Sequence, residues 1–149
     1  MGDMRDVNRD LFATTRINVP NLVPLMDRLR DESLKRSITL LHVHSAEEGE
    51  WICSTAAARL ARNDVKMVGP EPGSRVLDLV EQAIRAKVHY LFAGEIRREE
   101  DARALRAAAT LDVRPVGYIV RESRTEADNT VTMLGSWNSF DIVLLSEEH

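Results

Sequence analysis

A chain of 149 residues, 44% hydrophobic and 30% charged, is long enough for one domain burying about two thirds of its unfolded surface. Its net charge of −4 argues against nucleic acid or anionic lipid as a general partner, and its single cysteine, Cys53, excludes an internal disulfide and a multi-cysteine zinc site. The charged start "MGDMRDVNRD" lacks the apolar run of a signal peptide, and no segment approaches the roughly 20 apolar residues that cross a bilayer, so a cytoplasmic location is expected.

Residues 1–20 read as a polar N-terminal segment and 21–149 as a single domain. In "VPNLVPLMDRLRDESLKR", Leu22, Leu25, Met26 and Leu29 recur at helical spacing, predicting a helix from about 21 to 35 whose start is blurred by Pro20 and Pro24. "SITLLHVH" has the length and composition of a strand buried on both faces. "STAAARLARN" follows as a helix, with Ser54 as its N-cap and Asn63 near its end. "VKMVG" is a short strand closed by the turn signal "PEPG". Ser74 is then placed to cap "RVLDLVEQAIRAK", whose Val76, Leu79, Val80, Ala83 and Ile84 form one apolar stripe.

The third strand is "VHYLFAG". "REEDARALRAAATLD" is the next helix, with acids in its first turn where the macrodipole favours them. "RPVGYIV" and "FDIVLL" are the fourth and fifth strands. The stretch between them begins as a loop and holds a short helix around Val131–Trp137. Alternation of this kind predicts an α/β three-layer sandwich built on a mainly parallel sheet of about five strands.

The segment "HSAEEGEWICSTAAARLA" resembles the phosphate loop of the cytoplasmic ATPase domain of bacterial tyrosine kinases and related exopolysaccharide-synthesis proteins, the MinD-type branch of P-loop ATPases. Their loop reads S-A-x-x-G-E-G-K-S-T-x-A-A-N-L-A. Ser45, Ala46, Gly49, Glu50, Ser54, Thr55, Ala57, Ala58, Leu60 and Ala61 match it with one residue inserted after Glu50. "VKMVGPEP" stands where that family has a strand ending in an aspartate-rich loop, and "FDIVLLSEE" where it has F-D-x-V-I-I-D-T-P-P. The resemblance covers roughly residues 37–147, and only the first motif is specific to the family. It implies a P-loop NTPase-like fold in which Gly49, Glu50, Ser54 and Thr55 mark a degenerate phosphate loop.

The departures bear on activity. The loop lysine is absent, Gly69 and Ser146 replace the aspartates of the other two motifs, and Trp51 crowds the place of a glycine. The chain has three lysines, Lys35, Lys66 and Lys87, and only Tyr90 and Tyr118 in place of the family's tyrosine-rich tail. A charge pair near 4 Å at an effective dielectric of about 20 is worth about 4 kcal/mol, so losing the lysine removes an attraction of that order. Glu47, Glu48 and Glu50 add repulsion, while a helix N-terminus returns about 0.3–1 kcal/mol. The resemblance therefore implies a pseudo-ATPase without bound ATP or magnesium, acting through a protein partner. The family's partner is a membrane-embedded polysaccharide chain-length regulator, and its active members are commonly homo-oligomers. An active ATPase with an atypical loop and a stand-alone α/β interaction module are the alternatives.

Other motifs have competing readings. "AGEIRREEDARALRAAAT" resembles the G-E-I-R-D box of secretion and pilus-retraction ATPases, or is a strand ending in a glycine turn before a capped helix. His42 and His44 alternate on a strand, as a metal pair completed by Cys53 or Glu47 would, or as two hydrogen-bonded residues at the sheet edge. Cys53 near a helix start suits a nucleophile or a small packed residue. Trp51 and Trp137 suit a binding surface or a cover for the loop mouth. No metal site is expected.

Overall fold

Runs such as "SITLLHV" leave no polar face, so their strands are stable only inside a sheet covered on both sides. The computed structural model describes residues 22–133 and the backbone of 142–146. The predicted N-terminal segment 1–20 and Trp137 lie outside these residues. The chain divides into a unit ending at Arg30 and one beginning at Asp31.

In the first unit, α1 (Val23–Arg30) carries Leu25, Met26 and Leu29 at helical spacing. Pro24 sits in its first turn, where the missing N–H has no intrahelical acceptor to lose. The helix expected to reach residue 35 stops at Arg30. Asp31 opens the second unit by accepting hydrogen bonds from the Ser33 backbone N–H (2.9 Å) and hydroxyl (2.7 Å), which favours a 3-10 turn over Glu32–Leu34.

The second unit alternates strand and helix: β1 (Ile38–Val43), α2 (Ala46–Leu60), β2 (Met67–Val68), α3 (Val76–Ala86), β3 (Tyr90–Glu95), α4 (Glu99–Thr110), β4 (Arg114–Val120), α5 (Arg124–Met133) and β5 (Ile142–Ser146). Four strands form an all-parallel sheet in the order β2-β3-β4-β1, and the β5 backbone runs parallel to β1 on its other side. The α/β class and parallel sheet read from the sequence are therefore present.

Adjacent residues on a strand point to opposite faces. Gly49 of α2 lies against the Tyr118 ring, whereas Ile119 joins a core cluster with Leu79 and Val80 of α3 and Leu105 of α4. So α2 covers one face, and α3 and α4 the other. Val131 of α5 packs on that second cluster as well.

In this unit three helix starts differ from expectation for local reasons. α2 begins at Ala46, not Ser54, because Ser45 is its N-cap: the Ser45 hydroxyl accepts from the Glu48 N–H at 3.1 Å. α3 follows Arg75 rather than Ser74, whose hydroxyl donates to Glu71 at 2.9 Å. Its end conforms to rule, Lys87 adopting φ 54° and donating its N–H to the Ala83 and Ile84 carbonyls. α5 starts at Arg124 because the Ser123 hydroxyl accepts from the Glu126 N–H at 3.1 Å, well before the helix expected around Val131.

Candidate functional site

In an open parallel sheet, ligands gather beyond the strands' carboxyl ends where two neighbouring strands send their connections to opposite faces. Here that place lies between β1, which leads into α2, and β4, which leads into α5. The Arg121 N–H donates to the Val43 carbonyl at 3.1 Å, and His42 Nε2 lies 3.0 Å from the Arg121 carbonyl. A carbonyl oxygen only accepts, so Nε2 carries the proton. Buried His42 thus ties the two strand ends together, the hydrogen-bonded alternative of the sequence reading.

Helix N-termini at such an edge are ready anion sites, because their first N–H groups lack intrahelical acceptors. In this chain the neighbouring N–H groups meet carboxylates of the chain itself. Glu48 Oε1 accepts from the His44 N–H at 2.7 Å, and Glu126 Oε1 from the Glu122 N–H at 3.1 Å. The device recurs at α4, where buried Asp101 Oδ2 accepts from the N–H groups of Arg97 (3.0 Å) and Arg98 (3.2 Å). Each carboxylate sits in the first turn of its helix and reaches back to the connection that follows the entering strand.

The residues expected to mark a degenerate phosphate loop, Gly49, Glu50, Ser54 and Thr55, all lie inside α2. The Gly49 N–H donates to the Ser45 carbonyl at 3.2 Å, so the expected loop over 45–53 is replaced by regular helix. Gly49 is buried, and a Cβ there would fall 2.6 Å from the Tyr118 ring carbons. The glycine lets a helix approach an aromatic ring. Glu50 Oε2 accepts from the Tyr118 hydroxyl at 2.7 Å, while Ser54 is exposed and Thr55 half-buried on the outer side.

Gly69, which stands in place of the second motif's aspartate, has φ +73°, and a Cβ there would run into the Phe92 carbonyl oxygen. The G-E-I-R stretch forms the irregular end of β3. Gly94 has φ +88° beside a register shift against β4, Glu95 pairs with Arg97 at 3.0 Å, and buried Ile96 packs on Gly117. Trp51 lies in α2 and is 46% exposed.

His42 and His44 have ring centroids 5.0 Å apart in a T-shaped arrangement, and among the described residues no group of three or more His, Cys, Asp or Glu is placed to hold a metal ion. Also among them, no helix is long and apolar enough to cross a membrane. The chain matches no protein-family model, and no curated protein is similar enough to stand as a relative.

Cys53 is 1% exposed, and burial, then the Glu50 carboxylate, push its thiol well above the ordinary value of 9.0. A neutral, enclosed thiol is a poor nucleophile. Native protein at pH 8 is expected to leave Cys53 unlabelled by a disulfide reagent that reacts fully in guanidinium. Its folded-state pKa is raised, so its stabilisation is fully present below pH 9.0 and is lost as pH rises towards the folded value. Stability should fall by about 1.4 kcal/mol per pH unit there from this group alone. Tyr118, pushed up from 10.0 by burial and its hydrogen bond to Glu50, adds in the same direction. Cys53→Ala should make the alkaline loss of stability shallower; urea midpoints measured from pH 7 to 11 that show the same loss in both proteins would contradict the assignment.

Proposed function

We propose that this chain is a catalytically silent, P-loop-like α/β module that acts as a regulatory or binding partner in bacterial exopolysaccharide synthesis or export. One observation carries the silent half: Glu48 and Glu126 accept from the His44 and Glu122 backbone N–H groups just before α2 and α5, which holds two carboxylates at the β1/β4 crevice where a phosphate would have to enter. An incoming phosphate meets these carboxylates at close range, where each like-charge pair costs about 4 kcal/mol at an effective dielectric near 20. Glu47 and Glu122 are their neighbours in the chain, and of the nearby cations Arg121 donates to Thr130 and the Val120 carbonyl while Arg124 pairs with Asp128. Phosphoryl transfer needs metal-held charge stabilisation at the reacting edge, and the positions of the two aspartates hold Gly69 and Ser146.

The exopolysaccharide setting rests on the resemblance of residues 37–147 to that family's ATPase domains. The same resemblance supports a protein partner, a membrane-embedded chain-length regulator, and so a cytoplasmic position peripheral to the inner membrane. Calorimetric titration with Mg·ATP tests the reading. We expect no saturable binding, meaning a Kd weaker than about 1 mM, and no phosphate release. Saturable binding below that value would overturn it in favour of an ATPase of atypical loop chemistry.

A further inference from the structure

Helix α5 is held less firmly than the other helices of its unit, for two separate reasons. It buries Ala127 and Thr130 of its ten residues, whereas α4 buries six of twelve, so little apolar surface seats it on the sheet. Its sequence is also a poor helix former. Thr125, Asp128, Asn129, Thr130, Val131 and Thr132 all come from the weak end of the propensity scale. Isolated helices shorter than about 12–15 residues are marginal in water even when alanine-rich. With ten residues, α5 is therefore helical only while docked.

The docking contact is specific. Arg121 directly follows β4 and is fixed there, its N–H donating to the Val43 carbonyl and its own carbonyl accepting from His42 Nε2. From that fixed point its Nε donates to the Thr130 hydroxyl oxygen at 2.8 Å, and Thr130 donates in turn to the Glu126 carbonyl at 2.9 Å. The next residue, Val131, packs on the apolar cluster that contains Ile119. We propose that α5 is a latch on the β1/β4 crevice, opening as a unit while the sheet and the other helices stay folded. Closed, it is a helix with Arg121 holding Thr130. Open, it is unwound, the Arg121 contact is broken and the part of the core beneath Val131 is uncovered. Glu126 goes with it, so its carboxylate leaves the Glu122 N–H. The opposing carboxylate, Glu48, stays in place on α2, which is anchored by six buried residues. Opening thus changes charge and access at the crevice together. Segments with few buried apolar contacts are those that open below the cost of global unfolding. The latch stands whether or not the chain acts in polysaccharide export.

Native-state hydrogen exchange on the whole chain, read by mass spectrometry, tests this. The amides of α5 are expected to exchange at least about 100-fold faster than those of β1 and β3, yet more slowly than an unfolded peptide. Thr130→Val keeps the side-chain shape and removes the acceptor, and should speed exchange in α5 about tenfold. Asn129→Ala, at an exposed position, raises helix propensity and should slow it about twofold. Ile52→Val thins the packing of buried Ile52, which is intact whether the latch is open or closed. It should speed exchange in β1 and β3 about fivefold and leave α5 unchanged. Amides in α5 as protected as those of β1, or wholly unprotected, would overturn the latch. So would an α5 that ignores Thr130→Val and Asn129→Ala, or one that follows β1 when Ile52 is changed. A latch found in a chain that binds Mg·ATP would stand while the non-catalytic reading fell.

Discussion

Replacing Gly69 with Asp, the residue type that the P-loop family it resembles carries at the second motif, is expected to destabilise the fold by about 3 kcal/mol and to confer no ATPase activity. Two independent effects act on this position. Its φ of +73° lies in the left-handed region, which costs an L-residue about 1–2 kcal/mol, less for Asp than for most. The added Cβ also runs into the Phe92 carbonyl oxygen, part of the backbone of β3, which pairs with β2 on one side and β4 on the other. A backbone atom in the middle of a sheet has little room to yield, unlike the end of a flexible side chain. Gly69→Ala shares both effects and lacks the carboxylate, so it should lose nearly as much. Thermal melts of the two variants check this, with midpoints about 10 °C below the parent. An aspartate variant as stable as the parent, or one that hydrolyses ATP, would show that the way β2 meets β3 does not require glycine at position 69.

The parts of the fold legible in the sequence are those whose signal is local. β1 and β4 are mostly apolar runs, with Thr39, His42 and Arg114 as buried exceptions, because both of their faces are covered, and they read as strands without reference to anything distant. The stripe Val76, Leu79, Val80 and Ala83 marks the buried side of α3 for the same reason. Pairings that join distant segments gave no such signal. Nothing in the sequence ties Glu50 to Tyr118, 68 residues away, or sets β4 rather than β2 beside β1.

The start of α2 is a different kind of miss. Ser45-Ala-Glu-Glu48 is a legible capping box, as is Ser123-Arg-Thr-Glu126 at α5. At α2 the likeness to a phosphate loop competes with that local signal. The decisive term is that the Ser45 hydroxyl accepts from the Glu48 N–H in the first turn while the Glu48 carboxylate reaches back to the His44 N–H just before the helix. Ser45, Glu48, Ser123 and Glu126 fix where α2 and α5 begin.

Gly49→Ala separates the two meanings of the same glycine. In an exposed helix interior this substitution stabilises by about 1 kcal/mol. Here the new methyl falls 2.6 Å from the Tyr118 Cδ1 and Cγ atoms, and the ring is held from its far end by the hydroxyl's bond to Glu50. Overpacking of this kind costs about 1–3 kcal/mol and outweighs the gain in propensity, so the variant is expected to be about 1–2 kcal/mol less stable than the parent. Placed in a Tyr118→Leu background, where the ring is gone, the same Gly49→Ala change should become neutral or stabilising. The double-mutant cycle in urea should then show a coupling of about 2 kcal/mol between positions 49 and 118. Tyr118→Phe isolates the hydroxyl, whose bond to a carboxylate is worth about 1.5–3 kcal/mol when its partner is desolvated and less at half-buried Glu50. A glycine serving a phosphate would behave otherwise: alanine there would abolish nucleotide binding, leave stability unchanged and be indifferent to what stands at 118. Stability that tracks the ring at 118, with no nucleotide affinity to lose, is the outcome that follows from a helix seated on β4.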